Sequence, residues 1–177
     1  WRKRHWQTNN PALHSLAWPD TGLGAELMEA HCRGDFEVLN LHWLGDSTLS
    51  IEEIGRLPCP VFWTLHDQWP FSGAEHYAPL PTSGQDLAGL ERFTSAYESQ
   101  TTPESERSCD LNRWTWQRKR RSWRKPMTLI CPSQWMVDCV QRSALMGDWP
   151  CHVISNPLNL QQWSPVEPRL ARRLLDL

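Results

Sequence analysis

Short apolar runs alternate with amphipathic stretches along most of the 177 residues. The apolar runs are Phe36-Glu37-Val38-Leu39-Asn40-Leu41-His42, Val61-Phe62-Trp63-Thr64-Leu65, Met127-Thr128-Leu129-Ile130-Cys131 and Cys151-His152-Val153-Ile154. Their length, with β-branched and aromatic residues prominent, predicts four buried strands. Between them lie helical signals. From Thr21 to Cys32, Leu23, Leu27, Met28 and Ala30 suggest a short amphipathic helix. Ser50 stands as an N-cap before Ile51, with Glu52 and Glu53 in the first turn, and that helix ends before Pro58. Arg113 to Lys125 reads as a basic, Trp-bearing helix. Ser133 caps another through Trp135, Met136, Val137, Val140 and Leu145, and a last one begins at about Glu167.

Strands alternating with helices predict an α/β fold, a Rossmann-like parallel sheet flanked by helices. The stretch 66–109 breaks the alternation. It is rich in Pro, Ser, Thr and Gly and reads as one long irregular loop, the kind that is functional or disordered. Ligands of such sheets bind beyond the C-terminal ends of the strands. That rule singles out His42-Trp43, His66-Asp67 and Ser133.

Composition narrows the classes. With 40% hydrophobic and 21% charged residues the chain suits a globular domain, and no apolar run is long enough to span a membrane. The net charge of -2 argues against a dedicated nucleic-acid coat. The six Cys form no C-x-x-C pair and fit no zinc template, so they are expected to be reduced cytosolic thiols, mostly buried, with no metal. Trp is over-represented, at 12 residues. The chain begins at Trp1 and ends at Leu177 within a predicted helix, which reads as a fragment of a longer protein.

Several residues are candidates for chemistry. A His at position 66 can donate or accept a hydrogen bond near neutral pH, and Asp67 beside it either orients it or contacts a hydroxyl; a hydrogen-bonded His next to a capping Asp is the plainer alternative. His42-Trp43 repeats the arrangement one strand earlier, and an indole there either stacks on the apolar face of a sugar ring or packs on a neighbouring loop. Gly73, His76 and Tyr77 follow in the long loop. Ser133 caps a helix whose N-terminus favours anions, and Asn156-Pro157 forms a turn after the fourth strand. Segment 113–125 holds seven cations, and three readings of it stay open: a solvated face, a nucleic-acid grip by phosphate contact and Trp stacking, or contact with an anionic membrane. No phosphate-binding glycine loop or nucleophile elbow occurs.

Taken in order, Asn40-Leu41-His42-Trp43, Trp63-Thr64-Leu65-His66-Asp67-Gln68-Trp69-Pro70-Phe71-Ser72-Gly73, His76-Tyr77, Cys131-Pro132-Ser133-Gln134-Trp135 and Val153-Ile154-Ser155-Asn156-Pro157-Leu158-Asn159 resemble the N-terminal domain of family 4 glycosyltransferases. Within that family the chain looks most like the branch acting in bacterial exopolysaccharide and lipopolysaccharide assembly. The resemblance runs from about Trp18 to Leu177. It departs from the branch at Ala74-Glu75, where Cys is usual, and lacks the N-terminal glycine loop.

The resemblance implies the acceptor half of a two-domain GT-B enzyme, with residues 1–160 an incomplete N-terminal domain. Residues 161–177 are then a linker toward a nucleotide-sugar domain. It implies a retaining sugar transfer from a nucleotide-sugar donor to a glycan or lipid-linked acceptor, with no cofactor or metal. His66 and Asp67 are the implied catalytic residues. His42, Trp43, Trp69, Gly73, His76, Tyr77, Ser133 and Asn156 are expected to bind substrate. Arg118, Lys119, Arg120, Arg121 and Arg124 are expected to face an anionic membrane, placing the protein in the cytoplasm or on the inner face of its membrane. The alternative is a non-catalytic module that uses segment 113–125 to bind nucleic acid or membrane.

Overall fold

The structure, a computed structural model, describes residues 14–18, 20–44, 48–79, 91–107 and 109–177. Four parallel strands, β1 (Leu39–Leu41), β2 (Val61–Thr64), β3 (Thr128–Cys131) and β4 (Cys151–Val153), lie side by side in chain order. Around them run α1 (Leu23–Cys32), α2 (Ile51–Gly55), α3 (Leu111–Ser122), α4 (Gln134–Arg142) and α5 (Pro168–Leu174). The fold is α/β and Rossmann-like, as the alternation predicts. Each strand sits beside its predecessor, so the order never reverses within these four. All four C-terminal ends therefore open onto one edge.

The core lies where strand and helix faces meet. Trp63, Leu65, Leu129 and Cys131 from the sheet meet Ile51, Ile54, Trp116 and Trp123 from the helical layer, all buried. Helix α4 covers β3 and β4 with Met136, Val137, Cys139 and Val140, while Trp135 points outward. The first and last strands are shorter than their apolar runs, because each is an edge with one ladder partner. Val38 and Ile154, just outside β1 and β4, are exposed. Residues 152–170 are all exposed, including Leu158, Leu160, Trp163 and Val166.

The described parts of segment 66–109 are irregular but well packed. They hold three 3-10 turns, Arg92–Ser95, Ser99–Thr101 and Glu104–Glu106, and bury Phe71, Phe93 and Tyr97. Residues 80–90 lie outside the described set. All six Cys are free thiols. Cys59, Cys131 and Cys139 are buried, Cys109 and Cys151 half-buried and Cys32 exposed. Among the described residues no helix is long and apolar enough to cross a membrane.

One carboxylate joins the first two helices. Ser50 and Glu53 form a capping box on α2: Glu53 N donates to Ser50 Oγ (3.1 Å), and Ser50 N donates back to Glu53 Oε2 (2.8 Å). The same carboxylate also receives Thr21 N (3.1 Å) and Gly24 N (3.0 Å) at the start of α1. A Cβ on Gly24 would lie 2.9 Å from Glu53 Cβ, so glycine is what lets α1 approach. Burial raises the Glu53 carboxyl, but the backbone donors of Ser50, Gly24 and Thr21 outweigh it and hold the group far below the usual carboxylate range.

A carboxyl depressed on folding adds stability above its unfolded value and loses it as pH falls. Replacing it, Glu53→Gln, is expected to lower unfolding free energy by about 2 kcal/mol at neutral pH. The deficit should shrink below about pH 4, where the carboxyl of the unfolded chain begins to take up a proton that the folded one does not. Denaturant titrations of both proteins across pH check this.

Candidate functional site

The ends of β1 and β2 carry the candidate residues to the open edge. Strand β1 ends at Leu41, which is buried, and the next two residues, His42 and Trp43, emerge exposed. Strand β2 runs into Leu65, fully buried, and then delivers His66 to the surface. His42 Nδ1 lies 3.0 Å from His66 Nε2, and His42 Nε2 lies 3.2 Å from Asn40 Nδ2. Thr64 Oγ1 donates to Asn40 Oδ1 at 3.2 Å. Two strand residues and two imidazoles thus form one connected line.

Behind His66 the chain turns inward. Asp67 is buried; its Oδ1 accepts Trp69 N at 3.0 Å, and its Oδ2 accepts His76 Nδ1 at 2.6 Å. The exposed indole of Trp43 lies 5.9 Å, centroid to centroid, from the His76 ring. Tyr77 donates its hydroxyl to the His66 carbonyl at 2.9 Å, which pins the outer rim of the turn. Burial, then the Asp67 charge, raises the Tyr77 phenol above its ordinary value, so it stays a donor at neutral pH. Trp43, Thr64, His66, Asp67 and His76 surround a recess of 10 Å³, room for one water-sized group.

Other expected contacts are structural. Trp69 is buried and donates Nε1 to the Ser15 carbonyl at 2.8 Å. Gly73 is interior as well: its N–H donates to Tyr97 Oη (2.7 Å), and a Cβ there would lie 2.7 Å from the Asn112 carbonyl oxygen and from Glu75 Oε2. Gly73 builds the turn, while Trp69, besides its bond to Ser15, forms part of the wall of the recess. Ser133 is exposed and accepts Met136 N at 3.3 Å, a plain N-cap, and Asn156 is exposed beyond β4. Both lie on the same edge as His66 but are not brought against it.

The basic helix departs furthest from expectation. Arg118 and Lys119, expected at a membrane surface, are buried. Arg118 donates to the carbonyls of Leu16 (2.7 Å) and Ala17 (3.0 Å) and pairs with Glu52. Lys119 donates Nζ to the carbonyls of Trp69, Ser72 (3.1 Å) and Gly73 (2.7 Å), and sits 3.7 Å from the centroid of the Trp69 ring. Trp116 and Trp123 are buried too, so neither is free to stack on a base. Arg120, Arg121 and Arg124 do face outward.

The helical stripe explains the error. Asn112, Thr115, Trp116 and Lys119 fall at i, i+3, i+4 and i+7, an inward face that a long run of cations obscures. Burial pushes the Lys119 amine well below the ordinary lysine value; the Glu75 and Asp67 charges oppose that shift. Nearby, burial and then the Glu75 charge push the Tyr97 phenol well above its usual range, and its hydroxyl donates to Glu75 Oε1. Glu75 thus belongs to a buried polar network under the turn.

No family model, no curated protein and no solved structure matches this chain. What the site can do is therefore argued from its own groups. His42, Trp43, His66 and Tyr77 are accessible, and the Asp67–His76 pair stands behind them. Among the described residues no three His, Cys, Asp or Glu side chains are grouped to hold a metal ion. Sequence reasoning missed Thr64 as a site residue and the interior role of Lys119. The strand alternation at Asn40 and Thr64, polar residues within apolar runs, was the available signal.

Lys119→Met leaves three buried carbonyls without their donor, and is expected to lower unfolding free energy by about 3 kcal/mol. Changing Arg120, Arg121 and Arg124 together to Gln should cost less than about 1 kcal/mol. Denaturant titration of the two variants distinguishes an interior lysine from a surface one.

Proposed function

We propose that this chain is the acceptor-side domain of a retaining glycosyltransferase. It would take a sugar from a nucleotide-sugar donor to a glycan or lipid-linked acceptor in bacterial surface polysaccharide synthesis. The observation that carries the reading is the strand-edge group: the exposed Trp43 indole, the His42–His66 pair and the Asp67–His76 pair around one small recess. An aromatic face beside fixed polar groups is what saccharide recognition requires, since a pyranose has apolar C–H faces and a polar rim.

In this reading Trp43 stacks on the acceptor sugar. His66 contacts the sugar being transferred, and Asp67 keeps His76 in place behind it. The nucleotide-sugar domain would close on this edge, excluding water and supplying the groups that stabilise the departing diphosphate. The outward Arg120, Arg121 and Arg124 are offered to an anionic membrane, where a lipid-linked acceptor waits on the cytoplasmic face. Arg118 and Lys119 no longer belong to that surface.

Because the reading assigns donor binding to another domain, the 177 residues are expected to bind saccharide without turning it over. Titrating the chain with oligosaccharides of bacterial surface polymers, followed by calorimetry, should give saturable binding. Trp43→Ala should weaken it about tenfold, by loss of a stacking contact near 1.4 kcal/mol. Absence of saccharide binding by the folded chain would refute the proposal, as would binding indifferent to both Trp43→Ala and His66→Ala.

A further inference from the structure

We infer that Thr64 and Asn40 are positioning residues that set where the protons sit on the His42–His66 pair. They make His66 present an N–H, rather than a lone pair, at the strand edge. The Thr64 hydroxyl donates to Asn40 Oδ1 at 3.2 Å. That turns the amide nitrogen Nδ2 toward His42 Nε2, 3.2 Å away. An amide nitrogen only donates, so His42 Nε2 must be bare, and a neutral ring then carries its proton on Nδ1. His42 Nδ1 lies 3.0 Å from His66 Nε2, which must accept. The proton of His66 is left on Nδ1, which has no partner among the described residues.

The ring geometry agrees. The two imidazole centroids are 5.3 Å apart with 25° between the planes. That separation fits two nearly coplanar rings meeting nitrogen to nitrogen, the arrangement a hydrogen bond needs. The reversed amide would offer its NH₂ to Thr64 and leave the hydroxyl proton without an acceptor among the described residues. Strand pairing holds the starting point rigid, because Asn40 and Thr64 sit on adjacent strands in fixed register.

The neighbouring ring has the opposite polarity. His76 gives its Nδ1 proton to Asp67 Oδ2 at 2.6 Å, so its neutral form keeps a lone pair on Nε2. Both rings line the same recess, which has room for one water-sized group. A donor on one ring and an acceptor on the other suit a hydroxyl group, which accepts from the first and donates to the second. A carboxylate or phosphate oxygen, which only accepts, satisfies His66 alone. The choice of hydroxyl rests on the saccharide reading above; the proton pattern of the rings does not.

The test is long-range ¹H–¹⁵N correlation NMR of the full chain with ring-labelled histidine, at about pH 8, where an ordinary imidazole is neutral. His42→Ala and His66→Ala assign the two rings by loss of signal. In the wild type both rings should show the Nδ1–H pattern. Asn40→Asp replaces the donor by an acceptor and should reverse the line: both rings then move to the Nε2–H pattern while the other histidines stay unchanged. Asn40→Leu, the milder variant should Asn40→Asp fail to fold, should release His66 to the Nε2–H form that free imidazole prefers.

A wild-type His66 protonated at Nε2 overturns the inference. So does a His66 pattern that stays the same in a folded Asn40→Asp or Asn40→Leu protein. The spectra need no ligand, so failure of saccharide binding overturns the functional reading while this result stands or falls separately.

Discussion

The ammonium of Lys119 holds this molecule's site together. Three carbonyls from the turn 69–73 converge on it, and the Trp69 ring lies against it. A turn that folds back into the core aims peptide oxygens inward, where water cannot serve them. A single buried cation satisfies three at once. Without it those carbonyls would lie buried and unpaired beneath the segment that carries Glu75 and His76 back under Trp43. A carboxylate close by, Glu75, supplies countercharge and in turn takes the Tyr97 hydroxyl.

The site and the core are therefore made from one segment. Between His66 and Tyr77 the chain leaves the surface, contributes Trp69 and Phe71 to the aromatic interior, and comes back with His76. Trp123 meets Trp63 and Trp69 edge to face at 5.3 and 6.0 Å, and those two rings lie tilted to each other at 6.3 Å, so the floor of the site is a stiff aromatic layer. Preorganisation follows without any element of regular structure at residues 66–77. Asp67 shows the economy of the arrangement, since one carboxylate caps the turn through Trp69 N and orients His76.

Much of the fold could be read from the residues. Four apolar runs became four parallel strands, and Ser50 and Ser133 cap helices as their positions predict. Those signals are local: a cap needs only its own first turn, and a buried parallel strand declares itself by its apolar run. The site was legible in part. His42, His66, Asp67 and His76 do assemble, because the strand-end rule depends only on topology. The burial of Trp69 and Gly73 was not legible, because a residue in a loop gives no sign of whether the loop folds inward. Lys119 was misassigned for a different reason. Charge marks a surface only until a partner is found, and its partners are backbone oxygens 46 to 50 residues away, which carry no side-chain signature.

The strand order has a metrical consequence. Because each strand lies next to the one before it, the residues after β1, β2, β3 and β4 form a row in chain order: His42, His66, Ser133, Asn156. Adjacent strands are about 4.8 Å apart, so the row spans roughly 14 Å. Position along the sequence is thus a ruler along this edge, and Ser133 and Asn156 stand at its far end from His42.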